Sequence, residues 1–267
     1  MRPLPLAERP ISPSRPLIPP LHISAAHPSF RTSIFGGLPS KVPRPLIVGY
    51  SQSDLATDGD AVLACPQFIG IGSGGAVSLD SITCPANASA RGKVTIMTLF
   101  GDGTTDQTYY WTRISGEYCW MDDATMEKAE DIFFQPGQAV WVQCDAEDTI
   151  PFTSSGAVAQ EDIDFELGTD GDAVICGNAT PVNVDIQDIL CPADTSARGK
   201  VTIMTLFGDG TTDQTYYWTR IRGEYCWMDD ATMEKAEDIT FASGQGLWVQ
   251  CDAEDAITMT IPGVEGL

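Results

Sequence analysis

The chain has 267 residues, of which 37 are acidic and 15 are basic, and its formal net charge is −22. Such a charge argues against a general nucleic-acid-binding protein, because contacts with phosphates require clustered lysine and arginine side chains. A hydrophobic content of 43% is enough for packed cores, and the sequence holds no run of about 18 apolar residues that would span a membrane.

The first 50 residues differ from the rest in charge and in proline content. They carry five arginines, one lysine and one glutamate, and they contain 11 of the 18 prolines and both histidines, His22 and His27. A proline-rich segment cannot donate a regular ladder of backbone hydrogen bonds. We therefore predict an extended arm over residues 1–52.

Two interpretations of this arm remain open at this stage. Its composition allows a disordered tail, whereas its positive charge suits an assembly arm that contacts the acidic body of a neighbouring subunit. Prolines interrupt every candidate apolar region of a secretory signal, so we recognise no secretory signal in this segment. The assembly interpretation assigns the contacts to Arg2, Arg9, Arg15, Arg31, Lys41 and Arg44.

The remaining sequence is a near-perfect internal repeat. Residues 84–150 match residues 191–257 at 58 of 67 positions, with an offset of 107. A period of this size indicates a duplicated domain rather than a solenoid. We predict copy 1 at residues 53–159 and copy 2 at residues 160–267, joined by a short linker around residues 153–156.

Each copy is expected to be all-β. In copy 1, the β-branched residues 94–100, the turn Gly101-Asp102-Gly103 and the aromatic residues 105–114 predict a hairpin, and residues 117–120 predict a short strand. Residues 122–131 are the only stretch that permits a helix, of one or two turns at most. A second hairpin is predicted between residues 132–134 and 139–144. Further strands near residues 61–65, 77–82 and 149–153 give about seven, which is typical of an antiparallel sandwich or barrel.

The order of aromatic strands and turns resembles the repeats of uncharacterised surface-type proteins from gut and environmental bacteria and their phages. The resemblance rests on Tyr109-Tyr110-Trp111, Cys119-Trp120, Asp131-Ile132, Gly137-Gln138 and Trp141-Val142. It implies an architecture and a surface or particle setting, and it implies no activity. The absence of a recognisable secretory signal and the basic arm are departures from that pattern.

Both copies lack histidine, which argues against a Ser-His-Asp or Cys-His mechanism. We predict that the protein is not an enzyme and that it needs no cofactor, with calcium as the one candidate. Hard oxygen ligands suit calcium, although Gly-Asp-Gly is first of all a turn sequence. The candidate calcium ligands are Asp102, Asp106, Asp209 and Asp213.

Eight cysteines fall four to a copy, without a Cys-x-x-Cys motif. They are either buried free thiols or two disulfides per copy, for which the first candidate pairs are Cys119 with Cys144 and Cys65 with Cys84. The candidate disulfide residues are Cys65, Cys84, Cys119, Cys144, Cys176, Cys191, Cys226 and Cys251.

The six tryptophans suit either core packing or a platform on which sugars stack. The candidates for glycan stacking are Trp111, Trp120, Trp141, Trp218, Trp227 and Trp248.

The sequence favours a structural subunit that self-assembles into a virion component or an extracellular or cell-surface filament, with no membrane span and no nucleic acid bound by the repeats. The arm would contact a neighbouring subunit, and the acidic copies would keep the exterior soluble. The alternative is a tandem carbohydrate-binding or adhesion protein that uses exposed tryptophans and calcium.

Overall fold

The structure is a computed structural model that describes residues 48–55, 61–64, 76–169, 171, 173–207 and 210–264. Both copies of the repeat belong to one unit of the chain, residues 45–267. The other unit, residues 1–44, lies outside the described residues, and so do all six basic residues assigned to the arm.

The described residues form nineteen strands and confirm the all-β prediction. Those of copy 1 are β1 (Val48–Asp54), β2 (Ala61–Ala64), β3 (Val77–Ser78), β4 (Ile82–Thr83), β5 (Val94–Leu99), β6 (Thr105–Ile114), β7 (Glu117–Asp122), β8 (Phe133–Phe134), β9 (Val140–Cys144) and β10 (Pro151–Ala157). Those of copy 2 are β11 (Ile163–Leu167), β12 (Ala173–Gly177), β13 (Val184–Asp185), β14 (Val201–Leu206), β15 (Thr212–Ile221), β16 (Glu224–Asp229), β17 (Thr240–Phe241), β18 (Gly246–Cys251) and β19 (Ile257–Ile261).

A five-stranded antiparallel sheet is the main element of each copy. Its order is β2-β9-β5-β6-β7 in copy 1 and β12-β18-β14-β15-β16 in copy 2, so the two sheets share one topology. Alternate residues of β5 and β14 are buried, as expected for strands that turn one face to a core. Thr105–Ile114 forms a strand with the predicted bounds, because its alternation and the preceding glycine turn are local signals.

Shorter strands complete each copy. They form the sheet β1-β10-β4 and the pair β3-β8 in copy 1, and the pairs β11-β19 and β13-β17 in copy 2. Two clusters of buried apolar side chains lie in the described residues. One draws only on residues 55–152, and the other draws on copy 2 together with Ala139 and Ala159.

Tryptophan side chains connect the five-stranded sheet to the short strands. In copy 1, the indole N–H of Trp120 donates to the carbonyl of Ile82 at 2.6 Å, and that of Trp111 donates to the carbonyl of Pro85 at 3.0 Å. Copy 2 repeats both bonds at equivalent positions. Each core is therefore fixed by directional bonds as well as by apolar packing.

The predicted second hairpin is wrong. β8 pairs with β3, whereas β9 lies between β2 and β5 and has both of its edges occupied. The polar stretch 122–131 is a series of turns. The Asp122 carboxylate accepts the N–H groups of Ala124 and Thr125, and Met126 and Asp131 take left-handed φ values of 59° and 58°, which do not continue a helix.

Three predicted boundaries also differ from those in the structure. Residues 153–156, expected to be a linker, lie inside β10. Residues 48–52, expected in the arm, belong to β1 and pair with β10. The strand expected over residues 77–82 is split by a 3-10 turn at Leu79–Ser81, because the Ser78 hydroxyl accepts the N–H of Asp80.

Candidate functional site: the contact between the two copies

The turns between β5 and β6 and between β14 and β15 occupy equivalent positions in the two copies. In copy 1, Asp102 accepts hydrogen bonds from the Thr104 N–H at 2.9 Å and the Thr104 hydroxyl at 2.6 Å. These bonds hold the pKa of Asp102 below its usual value. Gly103 completes the turn with a φ of +82°, a conformation that favours glycine.

Each of these turns lies against a tryptophan of the other copy. A Cβ atom placed on Gly103 would lie 2.8 Å from Cη2 of Trp248, and one placed on Gly210 would lie 3.5 Å from Cη2 of Trp141. Gly103 is equivalent to Gly210, and Trp141 is equivalent to Trp248, at the repeat offset of 107. The two halves of the repeat therefore recognise each other through the same pair of residues in both directions.

A backbone hydrogen bond strengthens this contact. The N–H of Ala173, at the start of β12, donates to the carbonyl of Gly101 in the copy 1 turn at 3.1 Å. The main chain of the copy 1 turn therefore lies within hydrogen-bonding distance of the first residue of β12.

A second part of the contact differs between the two copies within the described residues. The turn of copy 1 at residues 137–139 pairs with β12: the Ala139 N–H donates to Ile175 at 3.1 Å, and Gly137 accepts from the Gly177 N–H at 2.9 Å. A Cβ atom on Gly137 would collide with the ring of Phe165. In copy 2, the corresponding turn bonds to Asn178 of its own copy. Among the described residues, the contact is thus symmetric at the tryptophans, and the two turns bond to different partners.

Most of the predicted sugar platform is buried. Trp111, Trp120, Trp218 and Trp227 are at most 4% exposed, so their faces are closed to a glycan, and for these four the stacking prediction is wrong. Core packing competes for the same aromatic faces and takes them here. Trp141 and Trp248 are half-buried and contact the turn of the other copy.

The calcium candidates are engaged in turn and strand contacts. Asp102 caps its own turn, whereas Asp106 and Asp213 accept from the hydroxyls of Thr98 and Thr205 at 3.3 and 3.4 Å. Asp209 lies outside the described residues. Within the described part of the chain, no group of three or more metal-ligating side chains comes together. This arrangement gives the calcium alternative no support.

The first candidate disulfide is wrong. Cys119 lies on β7 and Cys144 on β9, and β5 and β6 separate them in the sheet. Three strand spacings are about 14 Å, whereas the Cα atoms of a disulfide are at most about 7 Å apart. Cys65 lies outside the described residues, so its pairing with Cys84 stays a prediction. The seven described cysteines are buried free thiols.

Four large apolar side chains are exposed at positions that recur in both copies. Phe100 and Phe207 are 53% and 54% exposed, and Met126 and Met233 are both 64% exposed. The methionines have a φ of 59° in both copies, an uncommon backbone conformation for a residue with a side chain. The chain thus presents the same apolar residues twice.

Comparison with known proteins identified no relative: no family model matches the chain, and no curated protein or solved structure matches it. The resemblance to surface-type repeats therefore stays a prediction. Among the described residues, no helix is long and apolar enough to cross a membrane.

Sequence reasoning missed the residues that carry the contact between copies. Gly103 and Gly137 were interpreted as turn residues, and Trp141 and Trp248 as core or sugar-binding residues. No separate signal marks these residues in the sequence, because the two copies match at 58 of 67 positions and the glycine turn and the tryptophan are retained together with nearly everything else.

Proposed function

We propose that this chain is a non-enzymatic structural subunit, made of an N-terminal arm and two tandem β-sandwich domains, that self-assembles into a virion component or an extracellular or cell-surface filament. The observation that carries the proposal is the reciprocal contact of Trp141 with Gly210 and of Trp248 with Gly103. A surface that contacts a second copy of itself through equivalent residues in both directions is the defining feature of symmetric self-association.

The internal duplication supports repeated attachment. The contact between the copies uses one set of surfaces, and each copy still exposes its own phenylalanine and methionine. A chain with two equivalent outward sites can bind two neighbours, and linked sites raise the strength of association without any new type of contact.

Charge supports a role for the arm. Residues 1–50 carry a net charge of +5, and residues 51–267 carry 36 acidic and nine basic side chains, a net charge of −27. Opposite charges on two parts of one chain favour contact between the arm of one subunit and the body of another, and they accelerate encounter at low salt.

Deletion of residues 1–45 tests the proposal. We expect the full-length protein to form regular particles or filaments in electron microscopy, and the deletion variant to stay small in analytical ultracentrifugation. A matched control keeps the arm length and replaces its six basic residues with glutamine. If charge drives docking, this control behaves as the deletion does.

The proposal fails if the full-length protein is monomeric at all concentrations, or if the deletion leaves its assembly unchanged. Raised salt provides a further check, because screening shortens the range of the attraction. Assembly through the arm should weaken as the salt concentration rises.

A further inference from the structure

β1 is an edge strand of seven residues. It pairs with β10 in one continuous register, from Val48 with Ala157 to Asp54 with Pro151, and no described strand pairs with its other edge. An unpaired strand edge presents a row of backbone donors and acceptors to any chain that can match it. β1 contains no proline and no bulge that would interrupt this row.

Alternate residues of β1 direct their backbone groups away from β10. The Leu55 N–H donates to the carbonyl of Ile150 at 3.0 Å, directly beyond the last pair of the register. Because the bonding direction alternates along an antiparallel strand, the odd-numbered residues bond to β10. The N–H and C=O groups at the free edge therefore belong to the even-numbered residues, which are Val48, Tyr50, Gln52 and Asp54.

Loop residues cover the edges of three strands in the five-stranded sheets, β7, β12 and β16. The donors and acceptors are Ala129 to Trp120 at 2.9 Å, Ala139 to Ile175 at 3.1 Å and Ala236 to Trp227 at 2.9 Å. Such bonds protect a sheet edge from pairing with other chains. Among the described residues, none bonds to the outer edge of β1 in this way.

Charge distinguishes β1 from β11, the equivalent edge strand of copy 2. The sequence TDGDAV follows both strands, at residues 57–62 and 169–174, which is an offset of 112. Asp164 and Glu166 of β11 correspond to Gln52 and Asp54 of β1, and all four residues are exposed. An antiparallel pair of β11 strands would place Asp164 opposite Glu166, and like charges in opposite positions destabilise paired strands. β1 carries a carboxylate only at its end.

We propose that the free edge of β1 binds the same edge of a second subunit as an antiparallel pair around a two-fold axis. This inference rests on the proposed self-assembly and names one interface that carries it. In the register that uses all four outward residues, Val48 lies opposite Asp54 of the second subunit, and Tyr50 lies opposite its Gln52. The two β1-β10-β4 sheets then form one continuous sheet.

Charge supports a second subunit as the occupant of this edge. The two Asp54 residues lie at opposite ends of the pair, about 20 Å apart along the strands. This separation exceeds the Debye length of about 8 Å at physiological salt, so the two carboxylates do not repel each other appreciably. At each end, the chain of the other subunit continues from Val48 back to Arg44 and Lys41. The charges at both ends are therefore complementary.

Cysteine cross-linking of the full-length protein tests this register. Ser51 lies opposite Ser51 of the second subunit at a position without hydrogen bonds, where Cα atoms are about 4.5 Å apart. A disulfide spans this distance, so Ser51→Cys should give a cross-linked dimer on a non-reducing gel after treatment with oxidised glutathione. Ser53→Cys is the matched control, because the two Ser53 residues are about 14 Å apart in this register. The wild type shows the background from the native thiols.

Proline substitution provides a second measurement. Gln52→Pro removes an outward N–H and leaves the bonds to β10 in place. The two-fold axis uses this N–H twice, so we expect the dissociation constant from analytical ultracentrifugation to rise at least about tenfold. Asp164→Pro removes the equivalent N–H of β11 and should leave the dissociation constant unchanged.

Three results overturn the β1 pairing. They are equal cross-linking of Ser51→Cys and Ser53→Cys, equal association of Gln52→Pro and the wild type, and an equal loss of association in both proline variants. If a proline variant does not fold, the cross-linking decides.

The β1 pairing and the proposed function can fail separately. If the wild type forms particles or filaments but Ser51→Cys does not cross-link, the β1 pairing is wrong and the proposed assembly stands. If Ser51→Cys cross-links but the full-length protein forms nothing larger than a dimer, the β1 pairing is supported and the proposed particle or filament is wrong.

Discussion

Trp120 donates its indole N–H to the carbonyl of Ile82 across the core of copy 1, and both residues are at most 1% exposed. The acceptor lies 38 residues before the donor, in β4 of the sheet β1-β10-β4. One side chain therefore fills the core and joins the five-stranded sheet to a strand of another sheet.

We expect Trp120→Phe to destabilise the protein by about 1–3 kcal/mol, because the buried carbonyl of Ile82 loses its donor. The smaller ring also leaves a packing defect, which adds to this loss. Trp227→Phe removes the equivalent bond to Ile189 and should have a similar effect. Urea unfolding followed by circular dichroism measures both. Met126→Ala, at an exposed side chain, serves as a control within about 0.5 kcal/mol of the wild type. A Trp120→Phe variant as stable as this control would contradict the bond.

Asn178 organises a buried loop in copy 2. Its side-chain amide donates to the carbonyls of Val182, Phe241 and Ala242 at 2.6, 3.2 and 3.2 Å, and the residue is 1% exposed. We expect Asn178→Ala to destabilise the protein by about 2–3 kcal/mol, because buried carbonyls lose their donor.

Asn87→Ala is the matched control for this loop. Asn87 also begins an Asn-x-Ser/Thr sequence, but it is exposed, and water can replace its bonds to Ser89 and Ala90. Thermal unfolding compares the two variants. Equal losses of stability would contradict a structural role specific to Asn178. Burial also predicts that folded Asn178 resists glycosylation in vitro, whereas Asn87 remains accessible.

Local features of the fold could be predicted from the sequence, and pairings between distant segments could not. The strand Thr105–Ile114 and the turn before it follow from alternation and glycine placement within a few residues. The partner of β8 is more than 50 residues away in β3, and nothing in the alternation of either strand specifies it. The wrong hairpin and the wrong Cys119–Cys144 pair share this cause.

The contact between the copies could not be predicted from the sequence for a related reason. Gly103 satisfies the requirements of its own turn, so its sequence context gives no sign that Trp248 lies against it. The tryptophans were assigned by residue type, although their strand positions decide their roles. Trp120 faces the core, whereas Trp248, on β18, contacts the turn of copy 1.

High pH should unfold the reduced protein through its buried thiols. The pKa of Cys84 rises from 9.0 to about 12 on burial, so the folded state keeps a proton that the unfolded state releases. The contribution to stability is therefore complete below pH 9 and is lost as the pH rises towards 12. Cys191 is raised in the same direction. In this window each thiol lowers the free energy of unfolding by up to about 1.4 kcal/mol per pH unit.

The double variant Cys84→Ala, Cys191→Ala measures this slope directly. Its free energy of unfolding, determined with urea under reducing conditions, should fall less steeply from pH 9 to pH 12 than that of the wild type. Tyr109 and Tyr216, whose pKa values are also raised by burial, remain in both proteins. Identical slopes would show that the thiols are accessible to solvent in the folded state.

Glycine substitutions can test whether the copies contact each other in solution. Alanine at Gly103 has to adopt a φ of +82° and places its Cβ 2.8 Å from Trp248, whereas alanine at Gly92 adopts a φ of +67° with nothing within 4 Å. Gly92→Ala therefore reports the backbone cost alone, about 1–2 kcal/mol. We expect Gly103→Ala to lower the free energy of unfolding by about 1–3 kcal/mol more than Gly92→Ala does, because the packed indole has to move.

A double-mutant cycle assigns that excess to the contact between copies. Trp248→Phe removes the ring atom nearest to Gly103, so Gly103→Ala should cost no more than Gly92→Ala in that background. Gly210→Ala, 3.5 Å from Trp141, should resemble Gly92→Ala in the wild type, because this distance is ordinary van der Waals contact. Equal costs for Gly103→Ala and Gly92→Ala in the wild type would place the copies apart in solution, and the reciprocal contact behind the proposed self-assembly would lose its basis.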